Sequence, residues 1–129
     1  AAAIKRPVLA TDIDPEAVRV TRLNAAKAGV GPLLRSFAAP GLSDRRFAEA
    51  APFDLIFANI LARPLVQLAG SLSRLVAPVG TLILSGITRD QVRWIEATYR
   101  SHGWIATRRS FLGEWATLTM SKPTANHYV

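Results

Sequence analysis

Two hydrophobic rhythms alternate along this chain: short unbroken apolar runs, and apolar residues spaced three or four apart. PVLAT (7–11) is an unbroken run and predicts a buried strand. Ala17, Val18, Thr21, Ala25 and Ala28 then recur at helical spacing over 15–28, and Gly29 provides the stop. PLLRSFA (32–38) predicts a second strand, followed by a loop and a short helix near 43–50. FDLIFAN (53–59), bounded by Pro52, is the clearest run of the buried-sheet type. Leu65, Leu68, Leu72 and Leu75 form one stripe, predicting a helix over 62–76. VGTLILSG (79–86) predicts a strand, and Val92, Ile95 and Tyr99 mark a helix over 89–102 that ends at Gly103. In the last part no helix separates WIATRRSF (104–111) from EWATLTMS (114–121). With Leu112-Gly113 as the joint, this predicts an antiparallel hairpin. KPTANHYV (122–129) reads as a frayed tail.

Strands alternating with helices imply an α/β fold, a mostly parallel sheet covered by helices and closed by the C-terminal hairpin. No linker divides the chain, so 1–121 is expected to form one domain, with 122–129 as its tail. Composition agrees: 129 residues, half of them hydrophobic and 19% charged, suit a packed core and argue against disorder. No apolar run approaches the roughly 20 residues of a membrane span. The opening AAAIKRPVLA lacks the order of a signal peptide, and there is no cysteine. Together these favour the cytoplasm. Sixteen basic against nine acidic residues give a net charge of +7, which suits either solvated outer faces or contact with RNA. The pairs Lys5-Arg6, Arg45-Arg46 and Arg108-Arg109 are scattered, with no interleaved aromatic platform.

Candidate chemistry begins with two aspartates in TDIDPE. Asp14-Pro15-Glu16 is a helix start: Asp as cap, Pro at the first helical position, Glu in the first turn. Asp12 stands at the carboxyl end of a predicted parallel strand, where open α/β sheets bind ligands. It can accept hydrogen bonds from both hydroxyls of a ribose, or simply solvate the turn. Asn59 ends FDLIFAN at the equivalent place. It can cap the next helix, or its carbonyl can accept a hydrogen bond from an amine. Two polar residues at neighbouring strand ends suggest one crevice. Gly29-Val30-Gly31 is the only G-x-G in the chain, but it follows a helix and leads into a strand, the reverse of a dinucleotide-binding loop. Trp115 is expected to pack in the core or cover the sheet, with Glu114 in the turn. His102 and His127 lack partners at metal-ligand spacing, so no metal site is expected.

The segments ATDIDPEAV, FDLIFANILARPL, LILSGI and GEW occur in this order at compatible spacing. Together they resemble the bacterial ribosomal protein L-eleven methyltransferase family, within the class I S-adenosylmethionine-dependent methyltransferases. The resemblance covers residues 1 to about 120. It implies a Rossmann-like sheet with a reversed final hairpin, S-adenosyl-L-methionine as methyl donor, and lysine or N-terminal amines of a large-subunit ribosomal protein as acceptors. It further implies that Asp12 binds the ribose, that Ile13 lies beside the adenine, and that Asn59 lies near the methyl group and the incoming amine. The family's first strand and glycine-rich loop are expected to precede residue 1, and that strand is expected to lie between those ending at Asp12 and Asn59. A further departure is APVG (77–80) where the family reads APGG, which places a β-branched Val79 where a type II turn requires positive φ.

Three rival readings stand beside this one, the first of the same class. An RNA or DNA amino-methyltransferase also uses an Asn at this strand end, but follows it with prolines and an aromatic residue that stacks the flipped base; Ile60-Leu61 supplies neither. A non-catalytic basic module binding ribosomal RNA or protein on a relict fold would account for the charge. A nicotinamide-dependent dehydrogenase needs a glycine-rich loop and a catalytic base that the sequence does not display.

Overall fold

A computed structural model describes residues 8–12, 14–29, 31–39 and 41–122. They fall into two compact units, one running through Asp44 and one from Arg45 onward.

In the first unit, strand β1 (Val8–Asp12) is followed by helix α1 (Pro15–Lys27) and strand β2 (Leu34–Ala38). β1 and β2 pair in parallel, Val8 opposite Leu34 and Asp12 opposite Ala38, the arrangement a crossover helix dictates. Val18 and Ala25 of α1 and Phe37 of β2 supply buried apolar surface. Asp14 caps α1 by accepting a hydrogen bond from the Glu16 N–H at 3.0 Å. Gly29 takes φ +76 just after the helix, where a side chain would be strained. Two expectations need correction. The second strand begins at Leu34 because Gly31–Leu33 forms a 3-10 turn. β1 is half-buried to exposed, with Val8 53% exposed, because β2 is its one paired neighbour among the described residues.

The second unit contains α2 (Arg45–Ala50), β3 (Phe53–Asn59), α3 (Ala62–Gln67), α4 (Ala69–Leu75), β4 (Val76–Thr88), α5 (Val92–Arg100), β5 (Ile105–Leu112) and β6 (Trp115–Ser121). Its four strands lie in the order β3-β4-β6-β5. β3 and β4 are parallel, whereas β6 is antiparallel to both of its neighbours, so the chain's described pairings are two parallel and two antiparallel. Leu82, Leu84 and Ile87 of β4 and Ala116, Leu118 and Met120 of β6 pack inward against Leu65, Leu72, Ile95, Tyr99 and Trp104. The polar atoms buried with them are paired. The Tyr99 hydroxyl donates to the Leu65 carbonyl at 2.7 Å, and the Trp104 Nε1–H donates to Ser73 Oγ at 2.8 Å.

Three elements differ from the sequence pattern. The expected helix over 62–76 is broken at Leu68, whose φ −89 and ψ −2 fall in the bridge region, with the weak helix former Gly70 two residues on. β4 begins at Val76 rather than 79, because Ala77–Gly80 bulges between the Phe53–Val76 and Leu55–Thr81 pairings while the strand continues. The hairpin turn is Gly113-Glu114, and Trp115 is 57% exposed instead of packed. The reason is parity: β6 buries its even positions, so Trp115 falls on the outward side and Trp104 fills the core. β3 also departs from its buried-strand reading. Leu55, Phe57 and Asn59 lie along one exposed face, and β3 is an edge strand of its sheet.

Candidate functional site

Asp12 is the last residue of β1, at the carboxyl end of a parallel pair, and is exposed. Its Oδ1 accepts a hydrogen bond from the Asp14 N–H at 3.0 Å. One oxygen therefore does the ordinary work of a turn, fixing the side chain at the strand end, and the second oxygen is left for another donor. Asp14 is committed to its cap. Ile13 lies outside the described residues.

Asn59 ends β3 opposite Ser85 of β4, again at the carboxyl end of a parallel pair. The structural alternative for it, capping the next helix, is not used. The N-cap of α3 is Leu61, with no side-chain hydrogen bond. The amide end of Asn59 instead lies over Gly86: a Cβ on that glycine would meet Asn59 Oδ1 at 2.7 Å and the Ile60 carbonyl oxygen at 2.9 Å. Gly86 has φ +81 and sits in a one-residue bulge, since β4 advances from Leu84 to Ile87 while β6 moves only from Leu118 to Ala116. One glycine thus does two things. It shifts the buried face of β4 from even to odd positions, and it gives the Asn59 side chain room. LILSGI contains Gly86, but nothing local to that segment marks its role, because the bulge is a product of tertiary pairing.

The APVG segment behaves as its sequence requires. Val79 takes φ 58, the only non-glycine residue with positive φ among the described residues. Gly80 beside it has no room for a side chain, since a Cβ there would run into Val76 Cγ1 and the Ala77 carbonyl oxygen.

The GEW segment forms the hairpin turn and holds Arg89 in the 3-10 turn Arg89–Gln91 that leads into α5. The Glu114 carbonyl accepts from the Arg89 N–H at 2.9 Å, and the Gly113 carbonyl accepts from Arg89 Nε at 2.7 Å. Among the described residues, no group of three or more His, Cys, Asp or Glu side chains could hold a metal ion, and His127 lies outside them. Nor is any described helix long and apolar enough to cross a membrane.

Comparison with known proteins converges on one family. The family described as Ribosomal protein L11 methyltransferase (PrmA) matches residues 2–123. The ribosomal protein L11 methyltransferase of Rhodopseudomonas palustris (strain BisB5) is 43% identical over 122 residues, which is 95% of this chain and 41% of that protein. Its counterpart in Chelativorans sp. (strain BNC1) is 47% identical over 116 residues, covering 90% of this chain and 40% of that protein. The crystal structure of ribosomal protein L11 methylase from Lactobacillus delbrueckii subsp. bulgaricus superposes with a TM-score of 0.81 at 32% identity, covering 90% of this chain and 58% of that one. The chain spans about two fifths of the length of the curated relatives it matches.

Proposed function

This chain belongs to the ribosomal protein L11 methyltransferase family, and on that premise we propose that it serves S-adenosyl-L-methionine-dependent N-methylation of a large-subunit ribosomal protein, L11, at lysine or N-terminal amines. Its residues form part of a class I methyltransferase catalytic domain, over 1–121, working in the cytoplasm. The observation that carries the reading is Asn59: a polar side chain at the carboxyl end of a parallel strand, free of the helix cap and given space by Gly86.

The residues suit the cofactor. Asp12 retains a carboxylate oxygen for ribose hydroxyls beyond the one bound by the Asp14 N–H. Ile13, by its place in the family pattern, contributes apolar surface beside the adenine. When bound, the cofactor supplies an electrophilic methyl group on a sulfonium. The chain's task is then positioning, which can supply most of the acceleration of such a displacement. A lysine amine has an ordinary pKa of about 10.4 and must be neutral to act as a nucleophile. Removal from water disfavours its ammonium form, and the Asn59 carbonyl accepts a hydrogen bond from the neutral amine, leaving the nitrogen lone pair to point at the methyl.

Transfer of labelled methyl groups to purified L11 tests this role. Asn59→Ala is expected to lower kcat by about a hundredfold, at the low end of what loss of a positioned polar group costs. Unchanged turnover in Asn59→Ala would rule out the assignment. Weak RNA contact is a further part of the reading, supported by the net charge of +7.

A further inference from the structure

α5 and the adjoining hairpin enclose an open groove of about 580 Å³. Its walls bring together arginines that are far apart in sequence: Arg89, Arg93 and Arg100 along the helical side, and Arg109 from β5. Arg93, Glu96 and Arg100 fall on one face of α5, a stripe about 10 Å long at 1.5 Å per residue, and Arg89 stands before it in the 3-10 turn Arg89–Gln91. Glu96 is already engaged. Arg109 donates to both of its carboxylate oxygens, through Nε at 2.9 Å and through a second, shorter bond, and Arg100 stands 4.0 Å away. Asp90, the other acid in the groove, accepts from the Thr88 hydroxyl. Arg93 is exposed and makes no hydrogen bond or ion pair among the described residues. Phe111 supplies the aromatic surface, with the Arg89 guanidinium 4.3 Å from its ring centre and the residue as a whole 43% exposed.

We propose that this groove binds the phosphate backbone of single-stranded RNA, Arg93 and Arg100 contacting phosphates and the Phe111–Arg89 stack offering a flat surface to a base. Three observations favour that occupant. The stripe is longer than a single phosphate needs, so it suits a linear polyanion. All four cations are arginines, whose forked donors match phosphate oxygens. An aromatic ring stacked with a guanidinium recognises bases, whereas an acidic peptide offers only carboxylates. Of the basic pairs that look scattered in the sequence, Arg109 joins Phe111 and the arginines of the helical side when β5 is laid beside α5.

The groove lies within one compact unit and its function does not require methyl transfer, so the test is run without cofactor. Fluorescence anisotropy of a labelled single-stranded RNA is measured against salt for the parent chain, for Arg93→Ala with Arg100→Ala, and for Arg45→Ala, an exposed arginine outside the groove. Each lost phosphate contact on a single strand removes about 0.7 from the slope of log K against log salt, or about fivefold in affinity near 0.1 M. The double variant is therefore expected to bind about 25-fold more weakly with a slope shallower by about 1.4, while Arg45→Ala behaves as the parent. Alanine is the best helix former, so both groove positions tolerate it, and circular dichroism checks the fold. The proposal is overturned if the parent does not bind RNA, if the folded double variant keeps the parent's affinity and slope, or if a poly-glutamate peptide displaces the RNA as effectively as unlabelled RNA does.

Discussion

At Gly86 a backbone angle, a strand bulge and a candidate catalytic side chain meet in one residue. Adding a methyl group there conflicts with φ +81 and with two oxygens inside 3.0 Å. Gly86→Ala is therefore expected to cost about 2–3 kcal/mol, combining the left-handed penalty with local displacement. In a methyl-transfer assay it should lower activity even where the protein remains folded, because Asn59 must move. A variant with parental stability and turnover would show that neither constraint is real. Val79 is the converse case, a β-branched residue already held at φ 58 and 61% exposed. Val79→Gly relieves roughly 1–2 kcal/mol of strain and returns part of it as unfolded-state entropy. The urea midpoint is expected to rise, with a net gain of about 0.5–1 kcal/mol and an unchanged m-value. The two residues also mark what a sequence exposes at this scale. Val79 could be flagged because Pro-Val-Gly conflicts with a local turn rule, and Asp14 because its cap is local. Gly86 could not, since its φ follows from pairing with β6, about thirty residues further along.

Among the elements, those fixed by neighbouring residues were legible and those fixed by distant ones were not. α1 matched closely because cap, apolar spacing and stop lie within fifteen residues. The break at Leu68 was invisible to a leucine stripe that continues through it. The same limit hid the partnership between α5 and β5. Glu96, nearly buried, receives the Arg109 guanidinium across the two elements, and that hydrogen bond, more than the charges of Arg109 and Arg100, holds its carboxyl below the ordinary value of 4.5. A depressed folded value means that the unfolded state takes up protons first as pH falls. The pair's contribution is thus complete above the ordinary carboxyl range and is lost as pH drops through the lowered folded value. Glu96→Gln is expected to cost roughly 1 kcal/mol at neutral pH, the upper part of the range for a pair with one partner exposed. The gap from the parent should close under acid. Urea titrations at both pH values check this, and a gap that persists or widens in acid would assign the stability to packing.

Taken as a whole, the chain has parallel pairs followed by an antiparallel closing hairpin, a topology that alternating hydrophobic patterns were able to convey. Exposure was harder to read. β1 and β3 have the apolar runs of buried strands, yet Val8, Leu55 and Phe57 are more than half exposed. An apolar run does not by itself fix which strands lie beside it. The candidate site was legible for a different reason: strand ends are places where open α/β folds bind ligands, so Asp12 and Asn59 stood out by position. Their local roles were not legible. Only coordinates showed that Asp12 spends one oxygen on the Asp14 N–H and that Leu61, rather than Asn59, caps α3.

Ribose binding by Asp12 is measured by calorimetric titration of this 129-residue chain with S-adenosyl-L-methionine, beside Asp12→Ala. The predicted result is saturable binding that the variant weakens by at least about tenfold, since hydrogen bonds to a charged acceptor contribute roughly 1.5–3 kcal/mol. Binding of equal strength in a folded Asp12→Ala chain, or none in the folded parent, would contradict it.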